Sequence, residues 1–433
     1  MVMPVPRVWT FGVSVLIGVL WMACIGAVGP AAAQEQEQGA DPEQRTERDR
    51  PTWVNPRAYP ATVWGPRTGI GLGLGLSVHN LGPSRSRGLV TAVPNWHQQV
   101  GTVAWAPQWG HRILGFTVLE GRVFHTRRGW FYGVGPFPEA DTRLSLHRTQ
   151  LRGGMRGRYL PFGTSRLRLH AQLHVVHDRI YEQRNDDTDA FDRMDAQSQV
   201  YLEAFGRASD GSMQTRSMTG VRPQLGLAFD TREREQGPRR GMLAQVMVGR
   251  YLDVGNSSNF WSYEADLAGH ISLSTGHVVD LTANARMVRS PDDAPIPPPY
   301  LSDLDAFRMP GVARGRFLAR DRVLLGARYR VLAAALGNVI TVEPYVGGHA
   351  GAVYNDVTEQ FALEATTERT PAPSTRVPLR LSAHVGMRIA PLFRDVTYLD
   401  VALGVGPDGI TGVRLRFTPT YRHLRPDHHN DRW

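Results

Sequence analysis

Lysine is absent from the 433 residues, so all 49 basic side chains are arginine, and cysteine occurs once, at Cys24. One thiol builds no disulfide scaffold. Its place inside an N-terminal apolar run leaves none downstream for thiol catalysis or a cysteine-ligated metal. Beyond that run no segment approaches the ~18 uninterrupted apolar residues of a membrane helix, which excludes helical spans. Negative charge is also short: 40 acidic residues leave a formal net charge of +9. Such an excess raises nucleic acid as a partner. The arginines, however, are spread along the whole chain without a basic tail or cluster, so no nucleic-acid partner is expected.

What is present begins at the N-terminus. Arg7 forms a short positive region, Val8 to Val28 is largely apolar, and Ala31, Ala32 and Ala33 precede Gln34. That is the order of a secretory signal peptide, with cleavage expected after Ala33. Gly12, Gly18, Gly26, Gly29 and Pro30 interrupt the run and count against a retained anchor, and Trp21 and Met22 are poor residues upstream of a lipidation cysteine. Residues 34–64 are polar, with Gln-Glu repeats followed by Arg, Asp and Pro, and read as a disordered periplasmic leader. Residues 65–422 read as one domain, and 423–433 as a periplasmic tail.

From Gly65 onward the dominant signal is period-two alternation, the mark of strands with two unlike faces. Arg166, Arg168, His170, Gln172 and His174 share one face, and Leu167, Leu169, Ala171, Leu173 and Val175 share the other. Gly69 to Val78 alternates glycine with apolar residues. Fourteen such segments are legible, near 68–79, 97–107, 111–126, 145–158, 164–180, 219–230, 240–252, 258–272, 276–289, 321–334, 339–354, 377–390, 394–405 and 409–420. Alternation alone does not separate a soluble sandwich from a membrane barrel. Length does: most segments run about 11–16 residues, against ~5–6 for soluble strands and at least ~9–11 for tilted strands crossing a bilayer. Long and short connections also alternate, as in outer-membrane barrels. The expectation is a transmembrane antiparallel β-barrel of 14 to 16 strands, with any extra pair in 127–135 or 196–206. Pro291 to Tyr300 holds five prolines and cannot extend a ladder. It reads as the stiff base of a loop, 290–320, that folds into the lumen.

Four landmarks follow in order. They are Phe229-Asp230-Thr231-Arg232 with Pro238-Arg239-Arg240-Gly241; Gly311 to Phe317 followed by Arg320-Asp321-Arg322 and Tyr329-Arg330; Tyr345 to Tyr354; and Leu381 to Pro391. Together they resemble the barrel domain of the bacterial surface antigen family, the outer-membrane assembly and translocation superfamily. The resemblance covers about 220–420 by motif and 66–220 by pattern, including Phe131-Tyr132-Gly133-Val134-Gly135. It implies a turn motif at Asp230, Arg232 and Gly241 and a lumen-loop motif at Arg314, Gly315 and Phe317. In the family the loop arginine pairs with carboxylates on inward strand positions. This chain departs there, with Arg328 where the family has Glu and His349 where it has Asp. Glu343 lies six residues before His349 and so on the same strand face. Arg314 is therefore expected to pack against Glu343 or His349.

The resemblance implies a barrel that aids insertion or translocation of a protein or lipid at the bacterial outer membrane. Its partners would be outer-membrane lipid and a periplasmic or secreted client, and the barrel would be monomeric. Client-handling members carry polypeptide-transport-associated repeats, for which the stretch between Ala33 and the first strand has no room. A passive pore or structural membrane protein with the same fold therefore stays open as the alternative. No cofactor or metal is expected. His170, His174 and His177 read as wall residues, and His428-His429 with Asp427 and Asp431 as a solvated tail. No enzyme is expected either: Ser382 and His384 share one face, but no third partner is marked and both would point away from lipid.

Overall fold

The computed structural model describes residues 55–418 except the connecting segments 66–68, 82–85, 95–97, 107–115, 139–143, 162–165, 182–191, 205–214, 234–237, 256–257, 292, 305–308, 314, 337–339, 368–375 and 392–397. The expected signal peptide at 1–33, the expected tail at 423–433 and residues 34–54 of the expected leader lie outside the described residues.

Sixteen strands form the wall: β1 (Asn55–Gly65), β2 (Gly69–Leu81), β3 (Ser86–Val93), β4 (Gln98–Ala106), β5 (Phe116–Phe131), β6 (Leu144–Tyr159), β7 (Leu167–Tyr181), β8 (Arg216–Asp230), β9 (Gly241–Asp253), β10 (Phe260–Ser274), β11 (His277–Arg289), β12 (Asp321–Val331), β13 (Ile340–Tyr354), β14 (Val377–Pro391), β15 (Tyr398–Gly406) and β16 (Gly409–Thr418). Each pairs antiparallel with the next in chain order. β1 and β16 lie against one another without a backbone ladder between them among the described residues. The even count puts both ends of the wall at one rim, here called the near rim.

All fourteen expected segments contain strands, and the long antiparallel strands among the described residues number sixteen, the upper count expected; two short strands, Ala334–Leu336 and the parallel Phe361–Thr366, join the same sheet. The extra pair is not where the sequence placed it. Residues 196–204 form a helix (α1, Ala196–Ala204), and Phe131 ends β5. The two additional strands are β1, inside the stretch read as leader, and β3, inside 81–96, read as a loop. β1 carries Pro56 and Pro60, which hide a strand from sequence inspection. Proline lacks a ladder donor and is tolerated on an edge strand, and β1 is laddered on one side only. β3 is short, 8 residues, and begins among Gly, Pro and Ser.

The two faces decide between membrane and soluble barrel. Along β7, Arg168, Gln172, His174 and Asp178 are buried while Leu169, Leu173 and Val175 are exposed. Outward Leu74 on β2 is 74% exposed and Leu225 on β8 is 68% exposed. Charge inside and leucine outside is the reverse of a water-soluble protein and is what a lipid-facing barrel requires. No helix of the described residues is long and apolar enough to cross a membrane. Leu225→Arg is accordingly expected to cost about 2–4 kcal/mol in reversible unfolding from lipid vesicles. A change within about 0.5 kcal/mol, the usual result at a watery surface, would contradict a lipid-facing position.

Candidate functional site: the lumen loop and its anchors

The segment between β11 and β12 is built to stay inside the wall. Its prolines lead into a single 3-10 turn, Pro298–Tyr300, where the Leu301 N–H donates to Pro298 O at 3.2 Å. Tyr300 spans the lumen. Its hydroxyl donates to Asp178 on β7, while its carbonyl accepts from Arg286 on β11 at 2.9 Å. Its ring packs against Tyr251 and Phe260 at 5.1 and 5.2 Å. Asp178 is shared with Arg148 at 2.7 Å and Gln150 at 3.1 Å. Burial beside that carboxylate holds the Tyr300 phenol well above its ordinary pKa, so it remains the donor.

Beyond Leu301 the loop forms a small hairpin, Ser302–Asp303 against Leu318–Ala319. Arg322 on β12 clamps its base by donating to Asp303 O at 2.9 Å and to Asn284 Oδ1 at 3.0 Å. The far-rim segment 132–138 covers the hairpin, with the Gly135 N–H donating to Leu318 O at 2.6 Å. α1 supports that cover: Ser198 Oγ accepts from the Val134 N–H at 2.8 Å. Leu304, Met309, Val312 and Phe317 are fully buried against Leu324 of β12 and Val353 of β13.

Two arginines hold the loop tip. Arg316, itself buried, lies 5.3 Å from the Tyr132 ring centroid and 3.6 Å from Asp408 in the β15–β16 turn. Arg380 of β14 stacks on Phe317 at 4.1 Å and donates to Pro136 O. A buried guanidinium is tolerated where aromatic faces and a carboxylate replace its water, and this pocket supplies both.

Arg314 lies outside the described residues, so the loop arginine the structure places is Arg316, two positions on. Gly315 and Phe317 sit in the buried tip. The two expected partners serve other groups as well as any they offer the loop. Glu343 accepts from Arg330 at 3.1 Å and lies 3.8 Å from Arg388. His349 stacks on His384 with ring centroids 4.8 Å apart, and Ser382 faces His349 in register. Sequence reasoning missed Asp280 of β11, which joins Arg328 at 2.7 Å, Arg330 at 3.0 Å and His270 at 2.7 Å. It provides the carboxylate that balances arginine at 328. The inward run Val278, Asp280, Thr282, Asn284, Arg286 was readable as a polar face, but its partner 48 residues away was not.

The turn motif forms one unit. Asp230 accepts from both Nε and Nη2 of Arg232, at 2.9 and 2.8 Å, and lies 3.1 Å from Arg168. Gly241 has φ +101° and packs so closely that an added Cβ would lie 2.5 Å from Thr231 O, so only glycine closes this turn. The histidines of β7 are wall residues, with His174 Nε2 2.9 Å from Glu120 and His177 Nδ1 2.8 Å from Thr219 Oγ1.

No protein-family model and no curated protein matches the sequence. Solved structures do. BamA from Haemophilus ducreyi, solved without POTRA domains 1–3, superposes with a TM-score of 0.58 at 13% identity, over 84% of this chain and 69% of that one. CdiB from Escherichia coli gives a TM-score of 0.50 at 11% identity, over 85% of this chain. The chain spans 62% of CdiB, less than two thirds of its length. Both are outer-membrane barrels of the surface-antigen superfamily. A wall of sixteen long antiparallel strands among the described residues, with charge inside, a loop held in the lumen and these two superpositions, gives the chain the outer-membrane β-barrel fold.

Proposed function

We propose that the chain resides in the bacterial outer membrane as a monomeric barrel of the surface-antigen assembly superfamily and aids insertion or translocation of a protein or lipid there. The observation that supports this reading is the pairing of a loop buried inside the wall with a β1–β16 boundary that carries no ladder among the described residues. A passive diffusion pore needs an open lumen and a closed wall, and neither feature serves one. Residues 1–33 are its export signal, residues 34–54 a periplasmic leader, and the near rim faces the periplasm, where a client would arrive.

The test is reconstitution of the full chain into liposomes, followed by addition of an unfolded outer-membrane protein. Faster insertion than into empty liposomes, abolished when the lumen loop is tethered by an engineered disulfide, is the expected result. Insertion no faster than into empty liposomes would refute an assembly role towards protein. Steady conductance alongside it would establish the passive-pore alternative.

A further inference from the structure

The outer face of the wall is hollowed where β11 to β15 meet the lipid. Register carries one outward row across these strands: Leu281 opposite Ala327, Ala327 opposite Gly348, Gly348 opposite Ala383, and Ala383 opposite Val405. The next outward row, towards the far rim, sets Leu325 opposite Ala350 and Ala350 opposite Leu381. Leu281 and Val405 stand at the two ends and Leu325 and Leu381 along one side, all exposed, while alanine and glycine form the middle. The result is a groove of about 810 Å³ between the two rows, within the size range of sites that hold a small organic ligand. Thr367 follows the short strand Phe361–Thr366, which ladders with β14 at Arg380, and puts a hydroxyl on the far-rim side of the groove.

The groove slants through the membrane. Val405 is next to the last residue of β15 at the far rim, whereas Leu281 lies deep in β11, whose far-rim end is Arg289. Strands of such barrels tilt by about 35–45°, so a row of ladder partners runs obliquely and not parallel to the surface. Four ladder steps separate Leu281 from Val405, a span of ~19 Å. One leaflet of hydrocarbon is ~15 Å deep, which makes the groove about as long as one slanted lipid chain. Lipid tails are as apolar as the leucines they touch, so no hydrophobic gain draws a chain in. A chain in the groove instead gains dispersion contact with a floor and two sides, contact that the lining forfeits when the trough is empty. We propose that this groove seats one extended acyl chain of a lipid in the far-rim leaflet, with its headgroup towards Thr367 and its terminal methyl towards Leu281. The bilayer already borders the groove, and a trough one row wide fits a chain better than it fits the flat face of another protein. The site rests on the wall facing lipid and goes beyond the assembly reading, so a chain that inserts no client leaves it standing.

The test places the full chain in phosphatidylglycerol vesicles doped with the same lipid carrying a diazirine at the end of a saturated chain. After illumination, mass spectrometry maps the labelled residues. Labelling is expected to be several-fold denser at Leu281 and Ala327 than at Phe229 and Leu267, the exposed register partners of Ala244 on the outer face of β9. A diazirine beside the carbonyl should move the label to Val405 and Thr367. Ala327→Leu combined with Ala383→Leu fills the floor and should lower groove labelling to the level at Phe229 and Leu267. Ala244→Leu, the same change at an outward position away from the groove, should leave it as it was. All three put leucine where the wall faces lipid, which the fold tolerates. Equal labelling at the groove and at Phe229 and Leu267 in the native chain would overturn the site, as would undiminished labelling in the filled variant. Strongest labelling of Thr367 by the terminal diazirine would overturn the stated orientation. Groove residues shielded from both probes would mean that a second copy of the chain or another protein covers them, which also overturns it.

Discussion

Replacing residues 303–318 by two glycines is expected to turn a nearly silent barrel into one with a large, steady conductance in planar bilayers. Ser302 and Ala319 are register partners in the loop hairpin, so a short linker joins them without moving Tyr300 or β12. The excision removes Leu304, Met309, Val312, Arg316 and Phe317, all fully buried in the lumen. Barrels of sixteen strands enclose an aqueous channel unless something fills it, and in this one the filling is a single segment with its far-rim cover. Large current through the intact chain would show that the loop does not occlude the path. A silent deletion variant would instead assign occlusion to the 132–138 segment and α1, which remain in place. Either result bears on the assembly reading, because a passive pore has no use for a plug.

The fold was legible because its rule is local. Strand period, strand length and the alternation of long and short connections are each properties of about a dozen neighbouring residues, and they placed fourteen of the sixteen strands. β1 and β3 escaped for opposite reasons. β1 carries Pro56 and Pro60, which a strand tolerates only where one side lacks a ladder, and sequence inspection does not know which strand will be the edge. β3 is half the length of β5, 8 residues against 16, and falls below what separates a strand from a loop. The loop was legible as a loop from Pro291 to Tyr300, but its motif pointed to Arg314, which lies outside the described residues, and not to Arg316, the arginine buried in the tip. Which carboxylate meets Arg316 was not legible either, because Asp408 is 92 residues from Arg316 and comes beside it only after the wall has turned back on itself. The same holds for Asp280. Its inward direction follows from parity, but its neighbours Arg328 and Arg330 lie across a 31-residue loop. Parity gives the face of a strand; register between strands, which decides the pairs, is set by tertiary closure.

Asp280→Leu is expected to be the most damaging single substitution in the wall, at about 3–5 kcal/mol in urea unfolding from detergent or lipid. Asp280 is 2% exposed and receives Arg328, Arg330 and His270 together. Arg330, also 2% exposed, keeps Glu343 and Pro238 O after the change, and Arg328 keeps the Tyr345 ring at 5.0 Å. Neither replaces the shared carboxylate, since Glu343 already serves Arg388. The cost is therefore that of leaving buried cations uncompensated, and it sets up its own control. Asp280→Leu combined with Arg330→Met removes charge of both signs and should recover part of the loss, because an apolar pair of similar volume replaces a buried ion pair at little cost. Glu233→Gln supplies the opposite limit. Its partner Arg240 has a side chain 78% exposed at the near rim, and breaking such a pair costs about 0–1 kcal/mol. If Asp280→Leu falls in that same small range, water reaches the network and the lumen wall is not held by it. If the single variant is severe and the double variant recovers, the arginine at 328 is accommodated by a carboxylate from the neighbouring strand. Because Arg330 also donates to Pro238 O beside the turn after Asp230, Arg330→Met should loosen that turn, seen as faster proteolysis after Arg239 or Arg240.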